Sequence, residues 1–225
     1  MIDLDALLAP YIDESYRDFH AALVPGKTLK GIRTPDLERI AKTLDPGFLD
    51  EPLQDTYEYS VLYGMKCADK RLDPEQHIRY LTRWLATNDN WAANDLVSSR
   101  QKWIRKYKKE MIPTLEKWHQ TNEPWKQRFV YTLLLMHYKE TKDEEVIFDF
   151  LSRPFVQEYY VQMAVAWLLC EMLIRSPERT ETFLDQSALD PFTKQKAFQK
   201  AVESRRIGYA KKQLYRQHKK KLVSE

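Results

Sequence analysis

Apolar residues recur at three- and four-residue spacing along almost the whole chain, and no segment sustains an apolar–polar alternation of period two. The first pattern is what an amphipathic helix requires, and the second is what a half-buried strand would show. The chain therefore reads as all-α. The periodic stretches break at Pro, Asn, Asp and Gly, residues that cap or interrupt helices. A first helix is predicted over residues 3–23, ending at VPGK. TPDLERIAKTL opens the next, with Thr34 as the cap and Pro35 at the first helical position. Later helices are predicted near 55–68, 74–86, 90–108, 110–120, 124–139, 143–152, 156–175, 177–186 and 191–204. LDPEQHIRYLTRWL and SPERTETFL both carry Pro just inside their starts. The count is about ten to twelve helices with short connections.

The long helices carry a repeat. Trp91, Arg128 and Trp167 stand 37 and 39 residues apart, and each gap holds one long and one shorter helix. A period near 40 with two helices per unit is the mark of a HEAT- or armadillo-like solenoid. This predicts a curved α-α superhelix in preference to an irregular bundle. In such a stack the second helix of each pair lines the concave face, so equivalent positions of successive repeats point into one groove.

The chain has 225 residues, enough for a sizeable core. Its five glycines form no GxGxxG or GxxxxGK loop, which argues against a doubly wound nucleotide-binding fold. Cys67 and Cys170 lie far apart in apolar helical context and read as core residues of a reducing compartment. The acidic start MIDLDALLAP lacks a signal-peptide charge pattern, and no apolar run approaches membrane-spanning length. The expectation is a cytoplasmic protein with no membrane partner. Net charge is only +3, but it is unevenly spread. Residues 205–225 carry eight Lys/Arg against one Glu, which leaves the remainder at −4. The chain is accordingly divided into a repeat domain, 1–204, and a basic C-terminal tail, 205–225. A second basic run, SRQKWIRKYKK at 99–109, offers Arg100, Lys102 and Lys106 as nucleic-acid contacts. The plainer alternative is a solvated helix face plus a disordered tail.

NDNWAANDLVSS, residues 88–99, places Trp91 and Asp95 one helical turn apart on a shared face. Asp95 is either an acid favoured by the helix dipole or a carboxylate set against an indole for chemistry. Arg128 opens an apolar helix, where an unpaired charge is costly, so it either forms a structural ion pair or holds a substrate. Trp167, in VQMAVAWLLCEM, is either core packing or a groove wall. The five histidines share no ligand spacing, and no HExxH or CxxC occurs, so no metal site is expected.

The motifs GIRTPDLERIAK (31–42), NDNWAANDLVSS (88–99), WKQRFVYTLLL (125–135), YYVQMAVAWLLCEM (159–172) and DPFTKQKAFQKAVES (190–204) follow in order. Over residues 15–204 the chain resembles the DNA alkylation repair family, the AlkD-like HEAT-repeat DNA glycosylases. The resemblance implies a C-shaped stack of helix pairs cradling double-stranded DNA, alkylated or distorted, on a basic surface. It implies a monomer with no cofactor that removes N3- or N7-alkylated purines by hydrolysing the N-glycosidic bond. It assigns Trp91 and Trp167 as aromatic groove residues and Asp95 and Arg128 as catalytic residues. Asp95 would stabilise an oxocarbenium-like sugar and position water, while Arg128 would hold a phosphate and orient the acid.

The chain departs from that pattern in two places. Active relatives carry a second N-terminal helix before the GIRTP-like motif, and here only the seven residues VPGKTLK intervene. Seven residues cannot supply two to three turns. The chain therefore resembles the sub-branch lacking this DNA-gripping element. In addition, Met163 and Cys170 stand at positions that are usually basic in active relatives. Three readings stay open: a glycosylase, a non-catalytic module binding DNA structure or a partner, and a scaffold in which Asp95 and Arg128 pair.

Overall fold

The computed structural model describes residues 2–224, with side chains through Leu222. Thirteen α-helices make up the fold, and no strand occurs among the described residues. They are α1 (Leu4–Leu8), α2 (Glu14–Ala21), α3 (Thr34–Thr43), α4 (Tyr57–Lys66), α5 (Pro74–Leu85), α6 (Trp91–Arg100), α7 (Lys108–His119), α8 (Pro124–His137), α9 (Glu144–Ser152), α10 (Tyr159–Arg175), α11 (Pro177–Gln186), α12 (Pro191–Glu203) and α13 (Tyr209–Ser224). The chain is all-α, as its periodicity predicts. It divides into two compact units, one running to Thr114 and the other beginning at Leu115.

In the first unit, the helix expected over 3–23 is two helices. Pro10 lies in a 3-10 turn after α1, the backbone is extended at Ile12 and Asp13, and Asp13 restarts the chain by accepting from the Tyr16 amide at 2.9 Å. Proline removes a helical donor and clashes with the carbonyl four residues back, while Asp is a strong N-cap. The GIRTP segment is held from beneath by a carboxylate. Glu58 on α4, with no exposed surface, accepts from the amides of Lys30, Gly31 and Ile32 at 3.0, 2.8 and 3.3 Å. Gly31 has φ +88°, and a Cβ there would lie 2.4 Å from the Asp13 carbonyl, so only glycine fits. Arg33 donates twice to Asp13, at 3.0 and 2.8 Å. The cap of α3 is Arg33 rather than Thr34, and no side chain bonds there. The end of α3 is closed by Lys66, which is buried. Its ammonium donates to the carbonyls of Ala41 and Leu44 and pairs with Asp69. These are carbonyls a helix end leaves without partners. Helix α4 then packs on α3, α5 and α6.

In the second unit, α8 packs on α10, α10 on α11 and α12, and α12 on α13. Helices α8, α10 and α12 begin at residues 124, 159 and 191, each with an intervening shorter helix. This is the stacked-pair arrangement of a repeat fold. The layers are pinned by polar groups as well as by Leu, Val and Phe. Buried Gln127 donates to the His119 carbonyl at 2.9 Å and accepts from the Val156 amide at 2.8 Å. His119 bonds the Tyr131 hydroxyl at 2.9 Å. Burial and then the nearby Arg153 guanidinium push the His119 imidazole down to about 4. The C-terminal stretch is not a free tail. After the turn at 204–208 it forms α13, whose Tyr215 is fully buried against Phe198.

Candidate functional site

Helix α6 begins where Asn90 caps it, its side chain accepting from the Ala93 amide at 2.9 Å. Packing on α4 sets its rotation. Ala93 and Val97 are fully buried, and a Cβ on Gly64 of α4 would lie 2.4 Å from a Val97 methyl. Glycine lets the two backbones approach and locks that face inward. Trp91 and Asp95, one turn apart, are left half-exposed on another face. Trp91 is not loose: its indole N–H donates to the Leu23 carbonyl at 3.1 Å, just past the end of α2. The backbone of Asp95 is held as well, because the Ser98 hydroxyl donates to its carbonyl at 3.0 Å. The first unit therefore presents a fixed aromatic face and a carboxylate side by side.

The helix predicted over 90–108 ends early. Gln101 leaves helical geometry, and its amide donates to the Gly64 and Val97 carbonyls at 3.0 and 3.2 Å. Trp103 bonds Gln101 at 3.0 Å and stacks on His77 at 4.3 Å. The chain after Gln101 turns as a 3-10 segment, 102–106. That turn displays Lys102, Arg105 and Lys106 to solvent. Arg100 is differently placed, with its guanidinium paired to Glu38 of α3 and bonded to Ser99. Of the three cations expected to contact nucleic acid, Lys102 and Lys106 stand exposed and Arg100 is already engaged.

The other two expected site residues lie in the second unit. Arg128 is only 5 % exposed. It donates to the Tyr160 carbonyl at the start of α10, and its guanidinium lies 5.9 Å from the Tyr160 ring. Trp125, one turn earlier on α8, meets the same ring at 5.2 Å. Sequence reasoning missed Trp125 and Tyr160 as partners of Arg128; the signal was a large aromatic within the first turn of each helix, Trp125 in α8 and Tyr160 in α10. Trp167 is not a core residue. On a helix whose Ala164, Val165, Ala166, Leu168 and Leu169 are at most 1 % exposed, it is 36 % exposed. Tyr160, Met163 and Trp167 follow at three- and four-residue spacing on one face of α10, Tyr160 and Trp167 exposed and Met163 half-buried. Cys170 lies buried beside this stripe, and burial pushes its thiol up to about 11. Both cysteines are free thiols.

The positions most open to a ligand are surface ones. A cleft of about 660 Å³ in the second unit, lined by Leu151, Arg153, Phe155, Phe183, Leu189 and Asp190 among others, includes none of the residues above. Among the described residues no group of three or more His, Cys, Asp and Glu could hold a metal, and no helix is long and apolar enough to cross a membrane.

No curated protein matches the chain. A family model does: that of the DNA alkylation repair enzyme, over residues 3–201. This match takes in every helix from α1 through nearly all of α12, including Trp91, Asp95, Arg128 and Trp167. A DNA partner and a place in alkylation repair follow from it. The chain belongs to the DNA alkylation repair enzyme family.

Proposed function

We propose that the protein is a monofunctional DNA glycosylase that hydrolyses the N-glycosidic bond of N3- or N7-alkylated purines in double-stranded DNA. The observation that carries this reading is the pairing on α6: a half-exposed carboxylate one turn from an indole that is anchored by its own N–H. An alkylated purine is already cationic. When the C1′–N bond breaks, its electron pair goes to the base, which leaves neutral and needs no general acid. One carboxylate is then sufficient. Asp95 stabilises the positive charge that develops on the sugar and takes a proton from the water that adds at C1′. The products are a free alkylpurine and an abasic sugar. Trp91 and Trp167 offer electron-rich faces to the cationic nucleotide and its neighbours. Arg128, held at the Tyr160 carbonyl, is assigned to a backbone phosphate. Lys102 and Lys106 add charge that steers DNA without reading its sequence.

The test is single-turnover reaction with a duplex bearing one 7-methylguanine. Release of the free base, with an alkali-labile abasic site left in the strand, is expected. One observation favours a second reading, a non-catalytic module that binds DNA structure or a protein partner. No residue between Ala21 and Thr34 is helical, where active relatives would carry a DNA-gripping helix. Binding of the methylated duplex without any base release would select that reading.

A further inference from the structure

Helix α13 begins at Tyr209, beyond the residues matched to the family. Its side chains divide between two faces. Lys211, Tyr215 and His218 follow at four- and three-residue spacing and fasten the helix down. Tyr215 packs on Phe198 and donates its hydroxyl to Glu181 at 2.7 Å; Lys211 pairs with the same carboxylate at 2.6 Å. His218 stacks on Phe198 at 5.1 Å. A neighbouring face carries Tyr209, Lys212, Arg216 and Lys219, again at three- and four-residue spacing. Tyr209 is 76 % exposed. Arg216 is exposed, and Lys212 and Lys219 are half-exposed. None of these three cations enters an ion pair among the described residues, whereas Lys211 does, and Arg206 is held by Glu171 at 2.6 Å. Anchorage and free charge are thus sorted onto separate faces of one helix.

We propose that α13 is a second nucleic-acid contact surface, with Lys212, Arg216 and Lys219 lying along the phosphates of one strand of duplex DNA. From Lys212 to Lys219 the helix rises on the order of 10 Å. Successive phosphates of one strand advance about 3.4 Å along the duplex axis. That rise covers about three phosphate intervals, so the three cations fall within the reach of four successive phosphates. Tyr209, at the head of the row, adds an aromatic face beside the sugar. A lipid surface fits less well. A membrane-lying helix inserts a broad apolar face, whereas α13 buries Tyr215 against α12 and leaves Tyr209 and Leu214 as its exposed large apolar side chains among the described residues. Because these contacts touch only backbone, they add affinity without sequence preference and leave the chemistry at Asp95 untouched. The inference rests on the DNA-binding reading above.

The experiment is fluorescence anisotropy of a labelled, unmodified duplex of about two turns, titrated at several salt concentrations. It compares the wild type with a Lys212→Gln/Arg216→Gln/Lys219→Gln variant. Each phosphate contact contributes roughly 0.9 to the slope of log K against log salt. The triple variant is expected to lower that slope by about 2.7, and the charge-keeping K212R/K219R variant to retain the wild-type slope. Unchanged melting of the triple variant shows that α13 stays docked. Wild-type binding with an equal slope in the triple variant would overturn the inference while leaving DNA binding intact. No binding by the wild type would overturn both. Binding of wild type to phosphatidylserine vesicles, lost in the triple variant while the DNA slope is unchanged, would assign the surface to lipid and overturn it too.

Discussion

Trp167 shows how much a single side chain decides. Its sequence context, with Ala164, Val165 and Ala166 before it and Leu168, Leu169 and Cys170 after it on a long apolar helix, is that of a core residue, and only the packing of α8 and α12 turns it outward. A core tryptophan truncated to alanine costs about 3–5 kcal/mol. Trp167, 36 % exposed, should cost much less. Trp167→Ala is expected to shift unfolding by under about 1 kcal/mol, since surface substitutions rarely do more. It is also expected to lower single-turnover excision by about tenfold, the worth of one aromatic–cation contact of ~1–2 kcal/mol. Urea unfolding beside base release measures both; a large stability loss would make the residue structural. Glu58 and Lys66 teach the opposite lesson. Both look like surface charges in sequence, and both are buried where they close backbone groups that nothing else satisfies. Their roles depend on contacts 22 to 28 residues away in the chain, which periodicity does not encode.

At the scale of elements, the sequence was most legible where local chemistry alone sets a helix. Asp73, Asn90 and Asp190 cap α5, α6 and α12, and Pro lies in the first turn of α5, α8, α11 and α12, so these starts agree with prediction to within a residue. Legibility failed where a local breaker competes with an apolar pattern, as at Pro10, or where a tertiary bond ends a helix, as at Gln101. It also failed for α13, whose polar sequence hides a single buried tyrosine. The rotation of α6 is a tertiary property of this kind. Gly64→Ala would drive a methyl into Val97, and relief requires α6 to move. The expected cost is about 1–3 kcal/mol of stability. Trp91 and Asp95 ride on α6, so base release should fall more than the lost folded fraction accounts for. Equal losses in the two would show that the face of α6 is not functionally tuned.

For the whole molecule, acid is the informative stress. The folded His119 imidazole, with a value of about 4, lies below the ordinary histidine value of 6.5. Between those values the unfolded chain binds a proton that the folded chain does not. Stability is therefore complete above about pH 6.5 and declines as pH falls toward 4. Urea unfolding at pH 5 should show about 1–2 kcal/mol less stability than at pH 7 from this group. His119→Gln should lessen the loss across that window, where the His20 and His77 imidazoles are also held down by burial, and an unchanged slope would contradict the burial of His119. Asp69 acts lower. Arg71 first, and then Lys66, hold its carboxyl well below the usual carboxylate range, so its contribution is lost only as pH falls below about 4. Neither group lies among the candidate site residues, so acid loss of folding can be separated from acid loss of chemistry by following both at one pH.

Everything proposed about activity turns on the Asp95 carboxylate. The deciding measurement is single-turnover release of 7-methylguanine from a methylated duplex, wild type beside Asp95→Asn, with folding of both verified by circular dichroism. Release by the wild type is expected, with a loss of at least about 10²-fold in the variant, the usual cost of removing a preorganised electrostatic partner. Release at equal rates by both proteins would contradict the role of Asp95.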